Sequence, residues 1–164
     1  MGTKNEILAS LFIIFSIGIT SYVQDSESSS RSSNAKAKIQ VLASISVAST
    51  RDIDFGNVTL GDWSGYVSPW DPVRSASFTV NGQPGKTISV TLPSDSDVKM
   101  LVIGGSPSSA NDTISVTGFN LAGSLTLSSG STTITVGATH HSISMSQTYG
   151  DYEGNFVVQV IYNH

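Results

Sequence analysis

The chain contains no cysteine. A disulfide framework and a thiolate metal site are therefore excluded, and stability outside the cell has to come from a core or from assembly. Charge is scarce: 12% of the 164 residues are Asp, Glu, Lys or Arg, and the net charge is −4. The 8 Lys and Arg residues are scattered, with no basic stripe. Releasing counterions from a duplex needs clustered cations, so nucleic acid is not an expected partner. Strong helix formers are sparse after residue 25, and no stretch there follows a 3.6-residue period. Also missing are a nucleophile elbow, a phosphate loop and a zincin motif. His140 and His141 are adjacent and would face opposite sides of a strand, so they cannot share one metal. Together with His164 they read as solvated. No catalytic residue, cofactor or metal is expected, and the chain reads as non-enzymatic. Two carboxylate pairs, Asp95–Asp97 and Asp151–Glu153, have i, i+2 spacing. They fit turn decoration, a shared strand face or calcium, although the spacing lacks a calcium-loop signature.

What is present begins with an export signal. Lys4 supplies a polar start, and an apolar run extends from Ile7 to Ile19. That length suits a signal h-region better than a membrane span, which needs about 20 apolar residues. Residues 1–20 are thus expected to be a signal peptide, with an uncleaved anchor as the alternative. Either places the rest outside the cytoplasm, in the periplasm and then at the cell surface or beyond. After cleavage no membrane association is expected. Residues 21–34 include a Ser-rich stretch (DSESSSRSSN) that has nothing to bury and reads as a flexible leader.

From residue 35 the pattern changes to period two. Ala35, Ala37, Ile39, Val41, Ala43, Ile45 and Val47 share one side, opposite Lys36, Lys38, Gln40, Ser44 and Ser46. This run is longer than an ordinary strand of ~5–6 residues, so it divides naturally into two halves. Shorter alternating runs follow: Ile53/Phe55, Ala76/Phe78/Val80, Ile88/Val90/Leu92, Val98/Met100/Val102, Ile114/Val116, Leu125/Leu127, Ile134/Val136 and Ile143/Met145. Phe156, Val158, Val160 and Tyr162 close the series, as a strand expected to be buried and internal. Asn81-Gly82, Pro84-Gly85, Gly104-Gly105, Ser129-Gly130 and Gly150 to Gly154 supply turns between them. The expected fold of residues 35–164 is an all-β, immunoglobulin-like antiparallel sandwich.

The segment Gly61–Val73 collects Trp63, Tyr66 and Trp70 with Pro69 and Pro72. It can be read as a contact loop for glycan or host protein, or as tryptophans capping an open end of the core. The second is favoured because tryptophan is mostly buried. Asn57-Val58-Thr59 and Asn111-Asp112-Thr113 match the glycosylation sequon, a pattern common by chance.

Several of these elements, taken in order, resemble the bacterial family called domain of unknown function 4402. They are Asp54-Phe55-Gly56, the run Phe78 to Gly85, Ile88 to Pro93, Ile134 to Gly137, and Gln147, Gly150, Tyr152, Gly154, Phe156, Val158, Val160 and Tyr162. The run Phe78 to Gly85 looks like that family's central hairpin. In architecture the chain also resembles chaperone–usher pilins: an alternating N-terminal run leads to Phe55-Gly56, and Gly150 precedes a near-terminal Tyr162. It departs from many of them in lacking their disulfide. The resemblance implies a fibre subunit whose sandwich is completed by strand donation between like subunits, with a periplasmic chaperone and an usher as partners. Ala35, Ala37, Ile39 and Val41 would be the donated residues, and Ala43, Ile45 and Val47 the domain's own first strand. The alternative is that residues 35–48 are simply the first strand of a complete monomeric sandwich.

Overall fold

A computed structural model describes residues 36–95 and 97–163. The expected signal peptide and leader, Ala35 and His164 lie outside the described residues. Gln40 onward forms one compact unit, and the chain up to Ile39 belongs to another.

The alternating runs become nine strands among the described residues: β1 (Ser46–Arg51), β2 (Gly65–Val67), β3 (Ala76–Asn81), β4 (Ile88–Thr91), β5 (Val98–Val102), β6 (Thr113–Gly123), β7 (Ser131–His140), β8 (Tyr152–Glu153) and β9 (Gln159–Tyr162). The single helical element described is a 3₁₀ turn at Ala110–Asp112. All the pairings are antiparallel. The larger sheet runs β1-β3-β7-β6-β5-β8, and β2 joins β7 where β3 ends. The smaller sheet is the ribbon β4-β9. The protein is thus an all-β antiparallel sandwich with very unequal layers.

The core lies between these layers. Val80, Ile88, Leu127 and Ile134 are fully or almost fully buried at the ribbon end, with Ile45, Phe78, Val90, Leu121, Val158, Val160 and Tyr162 packed against them. A second cluster, Val98, Val116 and Ala138, is flanked by Ile53, Phe55, Met100, Phe119 and Phe156. Each side chain of this size contributes roughly 1.5–3 kcal/mol when fully buried. In β6 the pattern survives a register shift between Thr117 and Asn120, where Gly118 takes a positive φ of 62°. That bulge lets Val116 face one cluster while Leu121 still reaches the other.

Several sequence expectations are corrected. β3 and β4 lie in different sheets, so residues 82–87 form a crossover and not the expected hairpin. Gly82 N–H bonds to Gly130 O there, and Gly85 turns the chain with φ 75°. Leu125 and Leu127 lie outside the strands, tied to β4 by the bridge between Thr87 and Thr126. Ile143 is buried while Met145 is exposed, so they do not share a strand face. β9 alternates as expected, but Val158, Val160 and Tyr162 are only half-buried, and β9 pairs with β4 alone. It is therefore an edge strand and not an internal one. Ala43 lies before β1, while Val47 is within it and Ile45 packs on the core.

Candidate functional site

The imbalance between the layers leaves a groove of about 570 Å³. One wall is the second half of β1 and the chain after it, with Ser49, Ile53 and Phe55. The opposite wall is the segment from Tyr152 to Phe156 that leads toward β9. Its floor is the inner face of the larger sheet: Ala76 and Phe78 from β3, Val98 and Met100 from β5, and Val116 from β6.

Local chemistry holds these walls apart. On the first, Arg51 donates from Nε to Ser75 O at 2.6 Å and from another guanidinium nitrogen to Ser75 Oγ at 3.0 Å. Asp54 N–H bonds to Arg74 O, and Arg74 Nε donates back to Asp54 O, so the chain after β1 is fastened to the start of β3. On the second wall, Gly154 crosses β5 so closely that a Cβ would lie 2.6 Å from Lys99 O. Only glycine permits that approach. Phe156 then turns inward, with ring centroids 6.0 Å from Phe78 and 5.2 Å from Phe119. β1 gives the clearest sign of an uncovered face. Val47 sits opposite Val80 on the inner side, yet it remains 39% exposed.

Of the four expected donor residues, Ala35 lies outside the described residues, and Ala37, Ile39 and Val41 belong to no strand. No strand is assigned before Ser46 among the described residues. Ile39 is 90% and Val41 84% exposed, and Ala37 is exposed as well. The exit of this segment is fastened at one end of the sandwich. Tyr162 Oη donates to Ala43 O at 2.7 Å and accepts Gln83 N–H at 2.6 Å, and Ala43 N–H reaches Gln83 Oε1 at 3.4 Å.

The aromatic segment forms β2 and then crosses the outer face of β7 at Gly137, whose missing side chain makes room for Val67 O and Pro69. Trp63 is 88% and Trp70 77% exposed, and Tyr66 is exposed too. The expectation that tryptophan caps the core is therefore overturned: the backbone of the crossover, with Val67 and Pro69, fills the covering role, and the indoles project away. Tyr66 Oη meets Asn120 Oδ1 at 3.4 Å.

The histidines also need correcting. His141 is exposed as expected, but His140 is buried, with its ring edge 5.2 Å from Phe55 and its Nδ1 bonded to His141 O. A strand-end histidine reads as solvated when the crossover that covers it is invisible in the pattern. Among the described residues no group of three or more His, Asp or Glu is placed to hold a metal ion. Asp95 accepts Gly118 N–H, and Asp97 accepts the Ser94 hydroxyl, so both serve the turn before β5. Three carboxylates are held below their ordinary range. Asp112 is lowered first by the Thr148 hydroxyl and then by Ser106 N–H, Asp71 by the N–H groups of Arg74 and Val73, and Asp62 by Thr59 N–H.

Sequence reasoning placed Phe78, Met100 and Phe156 on inward faces but missed that they line one groove.

Residues 30–162 match the model of a family described as Domain of unknown function (DUF4402), and the chain belongs to that family. No curated protein and no solved structure matches it. No described helix is long and apolar enough to cross a membrane.

Proposed function

We propose that the chain is an exported structural subunit of a bacterial surface fibre, joined to its neighbours by β-augmentation. One observation carries this reading: an open groove on the core and an unpaired, alternating apolar segment occur in the same chain. Each is costly alone. An apolar face without cover and a row of exposed aliphatic side chains both invite a partner. A neighbour's Ala35, Ala37, Ile39 and Val41 would meet the apolar part of the groove, formed by Ile53, Phe55, Phe78, Met100 and Phe156, with Lys36, Lys38 and Gln40 turned toward solvent and the groove's polar rim of Arg51, Asp52, Glu153 and Asn155. Burying Ile39 and Val41 would contribute roughly 1.5–3 kcal/mol each, and backbone pairing adds to that. A periplasmic chaperone would shield the groove before assembly, and an usher would direct it. The role is scaffolding and not catalysis.

A second reading rests on the exposed Trp63, Tyr66 and Trp70, which suit an adhesin or monomeric binding module that stacks on glycan rings or on a host protein. The two separate on deletion of residues 21–41. The fibre reading expects assembly to stop and a synthetic peptide of residues 34–42 to bind the shortened protein. Assembly that survives the deletion would reject it.

A further inference from the structure

A second opening shares only Tyr152 with the groove. It is a pocket of about 440 Å³, within the range of ordinary small-molecule sites. Its floor is made by Ile114 and Ile143, both buried, by half-buried Leu60, and by Gln147. Exposed Val58 and Tyr149 stand at its rim. Backbone bonds fix both sides. Gly61 N–H donates to Ile143 O and Ile143 N–H to Asp62 O, while Thr148 N–H donates to Asn111 O. The pocket is thus preformed, and a ligand has little to order on entering it.

Gln147 gives the pocket its chemistry. It is 7% exposed, and its Nε2 donates to Thr113 O at 2.9 Å and to Tyr152 Oη at 3.2 Å. A backbone carbonyl can only accept, so the bond to Thr113 O fixes which way the amide points. Gln147 Oε1 accepts no hydrogen bond among the described residues. No described side-chain oxygen sealed from solvent lacks a partner, so Oε1 opens onto space, and the space that Gln147 lines is this pocket. The neighbouring hydroxyls are engaged: Tyr152 Oη donates to Thr148 O at 2.6 Å, and Thr148 Oγ1 donates to Asp112 Oδ1 at 2.5 Å. No Asp, Glu, Lys, Arg or His lines the pocket, so an ionic ligand would find no counter-charge there. The apolar floor and the rings of Tyr149 and Tyr152 favour a flat apolar guest. We propose that this pocket binds a neutral aromatic ring bearing a single N–H or O–H group, which donates to Gln147 Oε1. Such binding needs no assembly of subunits and is independent of the fibre reading.

Indole is the probe, and N-methylindole, whose methyl replaces the donor, is its control. Equilibrium dialysis of the mature chain measures both, whether or not subunits have assembled. Indole should bind saturably, and N-methylindole about tenfold more weakly for lack of the donor. Two rim variants locate the site. Val58→Arg crowds the mouth and Tyr149→Ala removes a ring, both at exposed positions whose replacement spares the core. Each should weaken indole binding severalfold. Uptake that never saturates, or equal affinity for the two probes, would overturn the proposal. Saturable binding at full strength in both variants would place indole elsewhere, such as on Trp63 and Trp70, and would overturn it as well.

Discussion

Replacing Gly137 by alanine should destabilise the sandwich, although the change is a single methyl on a strand. Gly137 lies in β7, and the crossover passes directly over it. A Cβ there would stand 2.3 Å from Val67 O, 2.5 Å from Pro69 N and 2.7 Å from Pro69 Cδ. None of these is the tip of a flexible side chain: two are backbone atoms and the third belongs to a ring. The backbone of Val67 to Pro69 must therefore lift, and the pairing of β2 with Gly65↔His140, Tyr66↔Thr139 and Val67↔Ala138 lifts with it. Overpacking of this kind costs ~1–3 kcal/mol. At about 4 °C per kcal/mol for a domain of this size, the melting temperature should fall by roughly 4–12 °C. Thermal unfolding measures the loss. Hydrogen exchange then localises it, with amides of residues 65–67 losing protection before those of β6. A Gly137→Ala protein with wild-type stability and unchanged protection would refute the crossover geometry.

Leu127 is completely buried although it lies outside any strand, so Leu127→Ala should cost ~2–5 kcal/mol in urea unfolding. Trp70→Ala should change stability by less than about 0.5 kcal/mol, since the indole projects into solvent; a larger loss would restore the core-capping role. Acid should weaken the fold through Asp112. Its folded pKa lies below the ordinary 3.8, so its contribution is complete above that value and disappears as pH falls through the lowered one. In that window the unfolded chain binds the extra proton, and Asp112→Asn should flatten this part of the stability–pH curve.

The strands that could be read from the sequence were those with one buried and one solvated side. Val98, Met100 and Val102, or Ile134 and Val136, announce their inner face by alternation alone. Ile53 and Phe55 share a core cluster in the same way although no strand forms there. Alternation says which side is inward but not which sheet a strand joins. Hence Asn81-Gly82 and Pro84-Gly85 looked like a hairpin turn when the chain was passing between layers. The tryptophans failed for a related reason. Their average burial favoured the core, but the position over β7 was taken by backbone fitted to Gly137. The groove itself required the third dimension, because Phe55, Met100 and Phe156 come from distant parts of the chain. The alternation of residues 35–47 was legible because it is long, and Ile39 and Val41 are exposed in the single subunit.

The most direct test of strand donation is Ile39→Asp in the mature chain, followed by size measurement and thermal unfolding. Ile39 is 90% exposed in the single subunit, so the change should leave the fold's own stability within about 0.5 kcal/mol. In the assembled state it would bring an unpaired charge against the groove's apolar floor of Phe78, Val98, Met100 and Val116, at a cost of several kcal/mol. The account predicts that wild-type polymers give way to folded monomers with an unchanged subunit melting temperature. A wild-type protein that is monomeric and loses stability on Ile39→Asp would contradict it.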